Sequence, residues 1–266
     1  MTESHNATKV TTDLDAIINY GVLFAYSGTK NLVVDRKCIT WMTTVRDTLI
    51  IFDIVNKALR GEYDVKPKNA RYLKKNYSKA LNDVRSPDLN NYRLLNMTAN
   101  YGGDSSIFWH NKNWSGHINE LDSTIHQGLI HNCNEYGALD RWSVNNVDSI
   151  KFIKETDQQF DVIYADPPFG DAYEEDYCDN LYIGDFDMNQ IVEYLFVGKG
   201  LRLWRTQKRV AVFKLPYKRY NVQGFVEGLR DLEIGGAIRF KMWSPAEMEQ
   251  IDNKTHKVIL VLIMNK

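Results

Sequence analysis

From Arg93 onward, short apolar segments alternate with stretches of helical spacing, and this alternation limits the fold more than any other feature. The strand candidates are Arg93–Thr98, Ser115–Asn119, Trp142–Val147, Phe160–Ala165, Arg209–Leu215, Ile234–Trp243 and Lys257–Met264. Helices fit between them at Ser123–Tyr136, with Gly137 as its stop, at Met188–Phe196 and at Val222–Leu229. Such alternation predicts an α/β fold, with a mostly parallel seven-stranded sheet covered by helices on both faces. The last two strand candidates have no clear helix between them, which predicts an antiparallel edge.

The alternation begins after Ser86-Pro87-Asp88, where the residue before proline resists helical dihedrals. That break divides the chain into a helical, basic N-terminal region at 1–87 and an α/β domain at 88–266. In the first region, residues 40–60 predict a buried helix, with Met42, Val45, Leu49, Phe52 and Val55 at three- and four-residue steps. Residues 68–84 predict a basic, exposed helix. With 44% hydrophobic and 25% charged residues, the chain is neither disordered, collagenous nor a coiled coil. Its longest apolar run, Val258 to Met264, is too short to span a membrane, so no membrane partner is expected. The polar N-terminus lacks a signal-peptide pattern. Cys38, Cys133 and Cys178 are scattered, which argues against a disulfide scaffold or zinc finger and for a reducing compartment. An intracellular location, cytoplasm or nucleus, is the expectation. His126 and His131 miss the four-residue spacing of helical metal ligands, and no metal is expected.

A net charge of −1 conceals segregation. Lys57 to Arg85 holds nine basic residues against three acids, and Lys199 to Arg219 holds eight and no acid. Glu155 to Glu193 holds twelve acids and neither Lys nor Arg. A single charge run is usually a solvated face. Two basic runs flanking one motif-bearing segment instead suggest a nucleic-acid track on one side of the molecule, with Lys74, Lys75, Lys218 and Arg219 as phosphate contacts. Interleaved aromatics such as Tyr72, Tyr77, Trp204 and Tyr217 suit unstacked bases, and equally suit packing.

The sharpest motif is Phe160-Asp-Val-Ile-Tyr-Ala-Asp-Pro-Pro-Phe-Gly170. An apolar strand ends in an acid, two prolines and an aromatic. The prolines stiffen the loop and remove two backbone donors, leaving carbonyls that can only accept. Asp166 also accepts, and Phe169 offers a flat face. An acid, bare carbonyls at Pro167 and Pro168 and an aromatic face suit a planar group bearing an exocyclic amine. In a doubly wound sheet this loop sits at the carboxyl end of a strand, where ligands bind.

The Asp-Pro-Pro-Phe string resembles motif IV of the S-adenosylmethionine-dependent amino-methyltransferases, which methylate adenine-N6 or guanine-N2. Residues 95–109 (LNMTANYGGDSSIFW) stand where that family has its glycine-rich motif I, and 117–122 (HINELD) stand at the end of the second strand. Residues 130–152 resemble the family's Asn-and-Tyr-Gly stretch. Over residues 90–220 the chain is most similar to the trimethylguanosine synthase, or cap hypermethylase, family. The resemblance implies a Rossmann-like class I methyltransferase domain and S-adenosyl-L-methionine as cofactor. It implies that Asp166, Pro167, Pro168 and Phe169 act on the substrate amine. Asn96, Thr98, Asn100, Gly102, Gly103, Glu120, Leu121 and Asp148 are then the cofactor contacts. Glu120 would chelate the ribose hydroxyls and Asp148 would accept from the adenine amine. Asp148 can also be read as a helix N-cap.

The sequence departs from that family in four places, one of them Phe169, where the cap enzymes usually have Trp. Asn96 stands where an acid is usual, and Asn100 often where a glycine is. Lys214, in Val-Phe-Lys-Leu-Pro, stands where the cap enzymes have a second stacking aromatic. Lys214 supports two readings, a phosphate contact within the basic run or a base like the lysine of ribose 2′-O-methyltransferases. Three functional readings stay open. The first is an RNA methyltransferase acting on an exocyclic base amine, guanine-N2 of a cap included. The second is an adenine-N6 or ribose 2′-O methyltransferase. The third is a catalytically weak, RNA-binding subunit that meets a protein partner through its N-terminal region.

Overall fold

The computed structural model describes residues 50–62, 91–167, 179–217, 220–252 and 258–266. The break at Ser86-Pro87 and the helix expected over 68–84 lie outside those residues, as do Lys74, Lys75, Pro168, Phe169, Lys218 and Arg219. Residues 50–59 form helix α1. Seven strands build one sheet: β1 (Tyr92–Asn96), β2 (Trp114–Asn119), β3 (Trp142–Asn145), β4 (Val162–Ala165), β7 (Val210–Pro216), β8 (Ile238–Trp243) and β9 (Val258–Asn265). Their order is β3-β2-β1-β4-β7-β9-β8. All neighbours are parallel except β9, which runs against both β7 and β8. The antiparallel pairing thus falls at the predicted side of a mostly parallel, Rossmann-like sheet. A short hairpin, β5 (Tyr182–Ile183) with β6 (Phe186–Asp187), stands apart from it.

Alternation along the strands produces two cores. Leu94, Val162, Tyr164, Val210, Val212, Leu260 and Leu262 face one side. There they meet α1, α2 (Ser106–His110) and α3 (Ser123–Glu135). Leu95, Ile163, Ala211, Phe213, Val261 and Ile263 face the other, under α4 (Ser149–Glu155), α5 (Met188–Phe196) and α6 (Val222–Ile234). A period of two on strands buried on both faces reads in sequence as a continuous apolar run. Helix α1 buries Ile50, Ile51, Phe52, Ile54, Val55, Ala58 and Leu59, and the Phe52 ring lies 5.3 Å from Phe108. The described part of the predicted 40–60 helix therefore packs as a wall of the α/β core.

Two boundaries differ from expectation. Helix α6 continues to Ile234, and β8 begins only at Ile238, so the strand predicted from Ile234 starts four residues late. The apolar Ile234 is exposed on the last helical turn, and Gly236, at φ +79°, ends the helix. Between β8 and β9 lies a helix the sequence reading lacked, α7 (Pro245–Asp252). Its start was legible. The Glu247 side chain accepts from the Ser244 amide at 2.7 Å, the Glu247 amide donates to Ser244 Oγ, and proline takes the first helical position.

Candidate active site

The chain winds outward from β1 to β3, then crosses back to β4, so the switch point of the sheet lies between β1 and β4. Ligands of doubly wound sheets bind in the crevice beyond the carboxyl ends of such strands. Two segments meet there, residues 97–105 after β1 and Asp166-Pro167 after β4.

The β1 loop is held by its own side chains. Asn96 Oδ1 accepts from the Thr98 amide at 2.9 Å, and Asn96 Nδ2 donates to Ser105 Oγ at 2.9 Å. Asn96 is buried, and both ends of its amide hold the loop that borders the crevice. Thr98 Oγ1 accepts from the Asp166 amide at 2.7 Å, which ties the two segments together. Asn100 sits at φ +50°, a conformation asparagine tolerates better than most residues. Gly102 has φ +89°, and a Cβ there would lie 2.2 Å from the Trp109 ring. Gly102 is needed for packing against α2, a role additional to the close cofactor approach expected of it.

Glu120 ends β2. Its carboxylate accepts from the Asn100 amide at 2.8 Å and the Asp122 amide at 2.9 Å, so it links the β1 loop to the turn before α3. Leu121 beside it is 67% exposed, an apolar face left beside the crevice. Asn146 Nδ2 fixes that turn by donating to the carbonyls of Glu120 and Leu121. Asp148 takes the helix-cap role, with Oδ1 accepting from the Lys151 amide at 2.9 Å. Its other oxygen faces Gly184 in the turn of the β5–β6 hairpin.

The centre of the site is an ion cluster. Lys214 Nζ lies 2.8 Å from Asp166 Oδ2 and 3.2 Å from Asp104 Oδ2. The three side chains are 6%, 20% and 10% exposed, respectively. Lys214 shares the face of β7 with Val210 and Val212, which aims it under the β1–α2 loop that carries Asp104. The phosphate contact considered for Lys214 has no exposed ammonium to make it. Asp166 Oδ1 is buried and meets no hydrogen-bond donor among the described residues. Burial pushes the Asp166 carboxyl up to about 7, Lys214 pulling it down and Asp104 pushing it further up. Asp104 is the site residue the sequence reading missed. An acid directly after the Gly-Gly pair was the available signal.

The shared basic track is not what the described residues show. Arg202 donates to the carbonyls of Ile153, Lys154 and Thr156 at the end of α4. Arg205 pairs with Asp161, at the start of β4, at 3.2 Å. Lys208 Nζ donates to the Leu59 carbonyl of α1 at 3.1 Å. All three lie at the amino ends of the parallel strands, and Lys214 lies at the other end. Strand β7 runs through the middle of the second basic run and separates its parts by roughly 20 Å. Among the described residues, no group of His, Cys, Asp and Glu could hold a metal ion, and no helix is long and apolar enough to cross a membrane.

No protein-family model matches the sequence, and no curated protein matches it. Similarities of shape do occur among solved structures. A SAM-dependent O-methyltransferase from Thermotoga maritima is 12% identical with TM-score 0.45, over 80% of this chain and 71% of that one. The METTL16 methyltransferase domain is 15% identical with TM-score 0.45, over 73% of this chain and 67% of that one. A fibrillarin/Nop5p complex is 12% identical with TM-score 0.43, over 66% and 73%. The fold assignment above rests on strand order and register, independently of these superpositions.

Proposed function

We propose that this chain is a nucleic-acid methyltransferase that moves a methyl group from S-adenosyl-L-methionine to an exocyclic base amine, with RNA as the substrate class and cap guanine-N2 among its targets. One observation carries the reading. Asp166 stands at the switch point with a buried carboxylate oxygen that no donor among the described residues meets, and Pro167, whose nitrogen cannot donate, follows it. An aryl amine has two N–H groups to give. Bonds to Asp166 and to a Pro167 or Pro168 carbonyl would pyramidalise its nitrogen and free its lone pair, which is orientation with electrostatic stabilisation. Phe169 would stack on the base, a contact worth about 1–3 kcal/mol.

The residues present fit the cofactor. Glu120 offers a carboxylate to the ribose hydroxyls, Leu121 an apolar face to the adenine, and Asp148 one oxygen to the adenine amine. The loop from Asn100 through Gly103 borders the methionine portion. The cofactor supplies an activated methyl group on a sulfonium, and no covalent enzyme intermediate is needed. Lys74, Lys75, Lys218 and Arg219 remain the proposed phosphate contacts.

The Asp166–Lys214 contact at 2.8 Å favours a second reading, methylation of a ribose 2′-hydroxyl, where a lysine–aspartate pair takes the hydroxyl proton. One experiment separates the two. Capped and uncapped RNA transcripts are incubated with the chain and methyl-deuterated cofactor, then digested and analysed by mass. Label on a base supports the amine reading, and label on ribose supports the hydroxyl reading. Absence of label together with absence of cofactor binding supports a non-catalytic subunit.

A further inference from the structure

Asp104 has no part in the amine reading as stated, yet it lies against the group that reading depends on. We propose that Asp104 is a positioning residue for the transfer: by sharing the Lys214 ammonium with Asp166, it keeps the Asp166 carboxylate open to the substrate. The proposal rests on the amine reading only for the identity of what Asp166 meets.

The cluster holds one ammonium and two carboxylates, all largely withdrawn from water. An isolated Asp166–Lys214 pair would be neutral and closed. Its carboxylate would be committed to lysine and would be a poor acceptor for anything else. Asp104 changes that in two ways. It takes part of the ammonium, at 3.2 and 3.4 Å through its two oxygens. It also adds a negative charge beside Asp166, which raises the proton affinity of that carboxyl.

Geometry makes the arrangement specific to this crevice. Lys214 rises from β7, Asp166 from the end of β4, and Asp104 from the loop that opens α2. The Thr98 hydroxyl holds the Asp166 backbone, so the carboxylate is fixed from both sides. Among the described residues, Lys214 and Asp104 are the charged groups that act on Asp166. The site should therefore gain its acceptor as pH rises through about 7, the value to which Asp166 is pushed.

The test uses the full chain with 13C-labelled aspartate carboxyls. Asp104→Asn keeps the shape and removes the charge. It should lower the titration midpoint of Asp166 by about one pH unit or more. Asp104→Glu restores the charge and should restore the midpoint. With the transcript that accepts label, the acidic limb of kcat should move downward by the same amount, while KM for RNA holds. Should Asp104→Asn fail to fold, Asp104→Ser, also uncharged, gives the same readout. An unmoved midpoint overturns the proposal, as does a loss of rate equal at every pH that Asp104→Glu does not rescue. Full activity in Asp166→Asn would overturn it too, whereas a shifted midpoint and limb with label on ribose would leave the positioning role standing and remove the amine reading instead.

Discussion

Strand β4 carries an aspartate at each end, Asp161 before it and Asp166 after it, and both are buried beside a cation. Burial raises the proton affinity of both. The difference lies in the other neighbours. Asp161 accepts from the Arg93 amide at 2.8 Å and pairs with Arg205, two donors and no acid. Asp166 has a lysine and a second carboxylate. Among the described residues, each aspartate keeps one buried oxygen that no donor meets, so the orphaned oxygen does not separate them. The first arrangement is a clasp that pins β1, β4 and the segment before β7. The second sets two carboxylates against one ammonium at the carboxyl end of the strand, beside the crevice. Two similar carboxylates five residues apart thus acquire different work from their partners.

Removing each acid should expose that contrast. Asp166→Asn should lower labelled methyl incorporation by about 10²–10⁴-fold, the range for loss of a positioned acid–base group, with the circular dichroism of the fold unchanged. Asp161→Ala should cost about 2–3 kcal/mol in urea unfolding, because it strands a backbone amide and an arginine. Its activity below the melting transition should stay near that of the parent. Equal effects on activity would erase the distinction between the two ends. Glu120→Ala, which touches neither aspartate, should weaken cofactor binding by about 1.5–3 kcal/mol in a calorimetric titration.

A smaller effect concerns pH. A carboxyl whose proton affinity is raised by folding holds its proton more tightly in the native state, so its contribution to stability falls as pH climbs from the ordinary carboxylate range to about 7. Asp166→Asn removes that burden. The variant should melt above the parent at pH 8, and the gap should close toward pH 5. Taking the difference between the two proteins cancels His117, whose burial holds it down to about 4 and acts in the opposite sense. A variant that melts below the parent at pH 8, by a margin that holds down to pH 5, would mean that Asp166 is stabilised as an anion. The smallest effect is expected at the amino-end basic patch, where Lys208→Glu should leave methyl transfer within about two-fold.

The sheet was largely legible because each strand ends in a residue type with a local reason to be there. Asp166-Pro167 ends β4, Glu120 ends β2, and Gly137 stops the helix before β3. Helix α7 was hidden because its eight residues have little apolar periodicity, and only its capping serine and glutamate mark it. The site was legible residue by residue but not as a set. Asn96 and Gly102 occupy cofactor positions in the sequence pattern, and both also pack the loop. Asp104 and Lys214 are 110 residues apart, and nothing in either local string says that they meet. The basic run from Lys199 to Arg219 misled for a geometric reason. A strand passes through it, and a strand carries charge from one end of a sheet to the other.

The placement of β9 has a consequence for how the chain is made. It is the last strand in sequence, yet it enters between β7 and β8, pairing along seven residues with the first and six with the second. During synthesis β8 and the β9-facing edge of β7 must therefore wait unpaired until residues 258–265 have left the ribosome. Helix α1, made some two hundred residues earlier, shares its core with Leu260 and Leu262 and must wait as well. Pairings so distant in sequence form slowly, and an open strand edge invites other chains. Losing the final eight or nine residues would remove an interior strand, so a truncated chain should accumulate as aggregate even though every residue of the crevice is present.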